Sequence, residues 1–96
     1  MGADRLTDEQ VAEALASSAW RREGDWIVRE WKLRDFRSAL AFVNRVAEAA
    51  EAADHHPDIL VHGWNRVRLS LSTHSVGALT SNDVRLARTI DALEKA

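Results

Sequence analysis

Ile59-Leu60-Val61-His62-Gly63-Trp64-Asn65-Arg66-Val67-Arg68-Leu69-Ser70-Leu71-Ser72-Thr73-His74 is the stretch on which the reading of the fold turns. Its second half alternates: Val67, Leu69, Leu71 and Thr73 fall on one face of an extended chain, and Arg66, Arg68, Ser70, Ser72 and His74 on the other. A period of two with one apolar side marks a strand with one face in a core, the usual state of an antiparallel sheet. Ile59 to Trp64 precedes it as a second extended run, and a turn around Asn65 joins them into a predicted hairpin. His74 is thereby expected at a strand end, on the polar side.

Upstream, Gly24-Asp25 separates two further short runs, Trp20-Arg21-Arg22-Glu23 and Trp26 to Leu33, whose imperfect alternation predicts another hairpin. Between the hairpins, Asp35 to Ala53 repeats Phe36, Leu40, Val43, Ala47 and Ala50 at spacings of three and four, with Val46 flanking, and reads as a long helix. Pro57 sets its end near Asp54 to His56. Thr7-Asp8-Glu9-Gln10 has the form of a capping box, with Leu6 and Val11 placed as a staple, and predicts a first helix from about Asp8 to Ser17. Leu79 as staple, Thr80 as N-cap and Asp83 at N3 repeat the device before a last helix carrying Val84, Ala87 and Ile90 on one side. The expected fold is therefore α+β, a single domain over residues 1–96 in the order αββαββα. A four-stranded antiparallel sheet would carry the helices on one face, where each amphipathic stripe can be buried.

Ninety-six residues suit one core, and 46% apolar with 29% charged residues is the composition of a globular chain. No segment approaches the ~20 apolar residues of a membrane span, and Met1 to Arg5 has no apolar run behind its charges, so a cytoplasmic protein without a membrane role is expected. A net charge of -2 and a pI near 6.0 argue against nucleic acid as partner. Without cysteine, chemistry falls to His, Asp, Glu, Ser and Thr.

Of the four histidines, His55 and His56 adjoin at the end of the long helix, and His74 follows nineteen residues later. Imidazole can give and take a proton near neutrality, so histidines converging on one pocket would suit proton shuttling; an isolated exposed histidine would be only a solvated side chain. Adjacent histidines seldom face one metal, and Asp54, His55, His56, His62 and His74 show no zinc spacing, so no metal is expected. Trp20, Trp26, Trp31 and Trp64 either fill core or stack a flat heterocycle.

Glu51-Ala-Ala-Asp54-His55-His56-Pro57-Asp58, Trp64-Asn65-Arg66-Val67, Leu71-Ser72-Thr73-His74, Leu79-Thr80-Ser81-Asn82-Asp83 and Ala87-Arg88-Thr89-Ile90-Asp91 together resemble the pterin-4a-carbinolamine dehydratases. Trp26-Ile-Val-Arg-Glu-Trp and Asp35-Phe36 extend the resemblance over nearly the whole chain. Trp31 in place of a usual Phe, Ala78 where Gly is common, and one extra residue at His62-Gly63 depart from the family's pattern. The resemblance implies dehydration of a 4a-hydroxytetrahydropterin to quinonoid dihydropterin, in tetrahydrobiopterin recycling, with the pterin as substrate and no cofactor. It implies His55 and His74 as an acid/base pair in either order, His56 holding the substrate, and Asp83 or Glu51 orienting an imidazole. Pro57, Thr73 and Ser75 would contact the pterin. It also implies a homodimer or homotetramer. The rival is a non-catalytic binding protein on the same fold, of the transcription-cofactor or Rubisco-assembly-factor type; the intact His-His-Pro and Thr-His favour the enzyme.

Overall fold

The computed structural model describes residues 4–94; Met1 to Ala3, on which part of the leader reading rests, lie outside them. The elements are α1 (Asp8–Leu15), β1 (Arg21–Glu23), β2 (Trp26–Lys32), α2 (Phe36–Ala53), β3 (Asp58–His62), β4 (Arg66–Leu71) and α3 (Ser81–Glu94), in the expected αββαββα order. The sheet is antiparallel throughout with strand order β1-β2-β4-β3, so each hairpin contributes one central and one edge strand.

The alternation read from β4 is that of the structure. Val67, Leu69 and Leu71 are fully buried, and Thr73 continues their face. Ile27 and Trp31 of β2 share that side through their pairing with Leu71 and Val67. Arg29 lies between them on the core face. Its guanidinium stacks 4.6 Å from the Trp31 ring centre and donates to Asp91 Oδ1 of α3 at 2.6 Å. Trp20 Nε1 donates to the same oxygen at 2.8 Å, so one half-buried carboxylate ties α3 to both β2 and the segment before β1.

α2 forms where the apolar periodicity predicts it but is rotated about its axis. Ala39, Phe42, Val46 and Ala50 face the sheet, with the Phe42 ring 5.0 Å from that of Trp31. Phe36 and Leu40, assigned to the core from the sequence, remain exposed with Ala47. The helix carries two apolar stripes, and periodicity cannot tell which one meets the sheet; the larger ring, Phe42, fills the space beside Trp31. In α3 the buried side includes Leu86 along with Ala87 and Ile90.

Three boundaries shift by two residues. α1 ends at Leu15 rather than Ser17, although its capping box is complete, with Gln10 N–H on Thr7 Oγ1 at 3.1 Å and Thr7 N–H on Gln10 Oε1 at 2.9 Å. β3 stops at His62, because Gly63 and Trp64 both take left-handed φ (53° and 58°), which a strand cannot accommodate. Asn65 closes that turn and pins it to the end of β2, its Nδ2 donating to Leu33 O and its carbonyl accepting from Leu33 N–H. β4 ends at Leu71, so His74 lies beyond the strand, at the first position of the turn 74–77 bracketed by the Thr73–Ala78 bridge.

Two outcomes test this account. Among the described residues, Trp31 Nε1 is a buried donor without a partner; an unmade bond of this kind costs about 1–3 kcal/mol. Trp31→Phe removes it at the expense of some apolar volume, so urea denaturation should show it within about 1 kcal/mol of the parent or more stable, whereas a loss like that of a core truncation would refute the orphan assignment. At the start of α2, the Ser38 N–H donates to Asp35 Oδ1 at 2.7 Å, and this bond, aided by the Ser38 hydroxyl and by Arg34, holds the Asp35 carboxyl below its ordinary value. A carboxyl lowered on folding adds stability that is full above its unfolded value and is lost as pH falls through the folded one. Asp35→Ala should therefore lower the melting temperature at neutral pH, with the gap to the parent narrowing in acid.

Candidate active site

α2 ends on a left-handed residue that is not glycine. Asp54 (φ 50°, ψ 43°) lets the His55 N–H reach back to Ala50 O at 3.1 Å, a closure of the Schellman type. Asp tolerates this conformation better than most side chains, and Pro57 prevents the helix from resuming. The chain reverses at that point, and the His55 ring is carried over the start of α3.

Asp83 waits there with no exposed surface. Its Oδ1 lies 2.6 Å from His55 Nε2. A carboxylate only accepts, so the donor in this pair is the His55 Nε2–H; in the neutral imidazole that tautomer has its lone pair on Nδ1. Asp83 Oδ2 accepts the Thr80 N–H and the Thr73 hydroxyl, both at 2.9 Å. Thr80 Oγ1 in turn lies 2.7 Å from Thr73 Oγ1 and accepts the Asn82 N–H at 3.2 Å. One direction satisfies every contact: Asn82 N–H to Thr80 hydroxyl, Thr80 hydroxyl to Thr73 hydroxyl, Thr73 hydroxyl to Asp83. The chain of donors fixes the carboxylate, and the carboxylate fixes the histidine.

This geometry places the sequence candidates unequally. Of the two acids proposed to orient an imidazole, Asp83 pairs with buried His55, while Glu51 lies 2.5 Å from His56 on the surface. An exposed pair of that kind contributes about 0–1 kcal/mol. Thr73, expected at the pterin's edge, turns its hydroxyl inward to Asp83 because it continues the buried face of β4; its role here is to support the carboxylate. His74 is exposed, and its ring stands edge-on to Trp26 with centroids 5.6 Å apart and planes at 78°. Ser75 is exposed beside it and Pro57 half-buried beside His56. A cleft of about 160 Å³ opens at His55, bounded by Ala53, Asn82, Arg85, Leu86 and Thr89. His62 is remote in role, pairing with Glu30 at 3.2 Å between two strands. Among the described residues no three His, Asp or Glu side chains gather as metal ligands would. Sequence reasoning assigned Thr80 a cap and missed its hydroxyl's second bond; the spacing of Thr73 and Thr80 around a turn gives no sign that their side chains meet.

A three-helix, four-strand α+β unit, with one histidine backed by a buried carboxylate at the end of α2 and another exposed on the turn after β4, defines the class: a small α+β fold of the pterin dehydratase type. The family follows from comparison. The chain belongs to the pterin 4 alpha carbinolamine dehydratase family, whose model matches residues 4–93. It is 50% identical over 96 residues to a Nocardia farcinica protein, covering 99% of this chain and all of the relative. It is 49% identical over 90 residues to one from Thermomicrobium roseum, covering 93% and 96%. Both are named "Putative pterin-4-alpha-carbinolamine dehydratase". A crystal structure described as a transcriptional coactivator/pterin dehydratase from Brucella melitensis superposes with a TM-score of 0.88 at 35% identity, over 94% of this chain and 98% of the other. A pterin dehydratase-like protein described as a RuBisCO assembly factor in the alpha-carboxysome shares the fold at a TM-score of 0.67 and 22% identity, over 80% and 90%.

Removing the Asp83 side chain strands the Thr80 N–H, the Thr73 hydroxyl and His55 Nε2 at once. Asp83→Ala should cost about 2–4 kcal/mol in chemical denaturation; a loss within the scatter of surface substitutions would show that the buried chain of hydrogen bonds contributes little.

Proposed function

We propose that the protein is a hydro-lyase that converts a 4a-hydroxytetrahydropterin to the quinonoid dihydropterin and water, and that its two working groups are His55 and His74. The observation that carries the reading is the His55–Asp83 pair at 2.6 Å, with Asp83 fully buried and doubly bonded on its other oxygen. A carboxylate behind one imidazole nitrogen fixes the tautomer and leaves the other nitrogen free to exchange a proton with substrate. Family membership supplies the reaction class.

In the proposed step an acid protonates the 4a hydroxyl, and the C4a–O bond breaks as the N5 lone pair moves in to form C4a=N5. A base then takes the N5 proton. One proton is given and one taken, water leaves, and no electron is transferred, so the step calls for no redox cofactor and no metal. In this reading His55, oriented by its carboxylate, takes the N5 proton and His74, on its turn, gives one to the hydroxyl. His56, Pro57 and Ser75 would hold the pterin from the loop side, while Thr73 acts through Asp83. The pterin's upstream role in tetrahydrobiopterin recycling follows from the same reading. The exposed stripe of Phe36 and Leu40 on α2, and Ile59 and Leu60 on the edge strand β3, supports assembly into a homodimer or homotetramer. No helix among the described residues is long and apolar enough to cross a membrane, which accords with work in the cytoplasm.

The test is dehydration of 4a-hydroxytetrahydropterin, generated in situ by a pterin-dependent hydroxylase and followed by ultraviolet absorbance. The parent should exceed the spontaneous rate, and His74→Ala should lower kcat by about 10²–10⁴ with the circular dichroism unchanged. No acceleration by folded parent would turn the assignment to a binding role of the kind named for the Brucella melitensis relative.

A further inference from the structure

His74 presents a problem that His55 does not. His55 is locked by a buried carboxylate, whereas His74 sits exposed on a turn, where an imidazole with two free torsions ordinarily samples several rotamers. A proton donor on such a turn is in place only for the fraction of time its rotamer is right.

We propose that Trp26 is the positioning residue for His74: the indole holds the imidazole edge-on in one orientation and so sets the fraction of molecules in which His74 is ready. The inference rests on the catalytic role assigned to His74 above. Trp26 begins β2, opposite the point where the chain leaves β4, since Ile27 pairs with Leu71 in the last rung of the ladder. Ser72 Oγ donates to Asp25 O at 2.6 Å, fastening the hairpin turn before Trp26 to the strand exit before His74. From the far side the turn is closed by Thr73 N–H to Ala78 O at 3.0 Å and by Gly77 N–H to Thr73 O at 2.8 Å, with Gly77 in the left-handed region at φ 68°. The two backbones are thus fixed relative to each other before the rings meet, and the rings meet in the T-shaped geometry that aromatic quadrupoles favour, 5.6 Å apart at 78°. The other tryptophans are placed differently: Trp20 and Trp31 are core, and Trp64 is on the hairpin tip. Trp26 alone among them touches a histidine.

An aromatic edge-to-face pair shifts a rotamer equilibrium by about two- to ten-fold. Trp26→Leu should therefore lower kcat by about three- to ten-fold with KM changed less than two-fold, and Trp26→Phe, which keeps a ring face, should retain most of the parent's kcat. Proton NMR of the full-length protein supplies a readout independent of turnover. In the parent the His74 ring protons should be displaced by the indole ring current; the displacement should collapse in Trp26→Leu and persist in part in Trp26→Phe, with His74→Gln identifying the resonances. Ring protons at random-coil positions in the parent would overturn the contact. Equal kcat in parent and Trp26→Leu, or equal losses in the Phe and Leu variants, would overturn the positioning role. If the parent itself does not accelerate dehydration, the hydro-lyase reading has failed, and the NMR arm still decides whether Trp26 orders His74.

Discussion

One carboxylate holds together three parts of the chain that share no neighbouring sequence. Asp83 receives a hydroxyl from the end of β4, a backbone N–H from the entry to α3 and an imidazole from the exit of α2. A charge buried without partners would be among the most unfavourable features a small fold could carry. With both oxygens hydrogen-bonded it becomes the point at which those segments are mutually located. Position 83 is therefore both a helix-start residue and the partner of His55, and the two roles share the same carboxylate. The same bonds that satisfy α3's first turn aim the ring of His55.

What the sequence made legible follows the strength of each local signal. The period-two alternation of β4 and the Thr7 capping box were unambiguous because each uses only near neighbours, and both stand in the structure. The facing of α2 was not legible, because Phe36-Leu40-Val43 and Ala39-Phe42-Val46 are both apolar rows on one helix, and the choice between them is made by Trp31 on another strand. The end of β3 moved where left-handed backbone intervened at Gly63 and Trp64, a conformation that Trp seldom adopts and so does not advertise. Within the site, the motif located the histidines and the acids but could not say which acid meets which ring. That pairing depends on the direction in which Asp54 turns the chain, and on Thr73 facing inward in register with Leu71.

The core face of β2 carries a second lesson of this kind. Arg29 would be an error on an apolar face were it not stacked on Trp31 and paired with Asp91, which Trp20 also reaches. Here a basic residue and two indoles work as a bracket for the last turn of α3, while Asp83 holds its beginning. The helix is located at two points a little over two turns apart, which is what keeps its first turn at a fixed height over the end of α2.

The unequal mounting of the two histidines also divides them in time. His55 rides on a helix end whose fastening lies in the protein's interior, so it should leave its place only when the cooperative core opens. His74 belongs to a loop tied outward to the β1–β2 turn, and β1 is an edge of three residues with all of its side chains in solvent. Fraying of that edge would act on the loop through Asp25 and Trp26, neither of which is bonded to Asp83. The two histidines are thus mounted with different stability, His55 on the interior that opens last and His74 on the side of the sheet whose edge is its smallest strand.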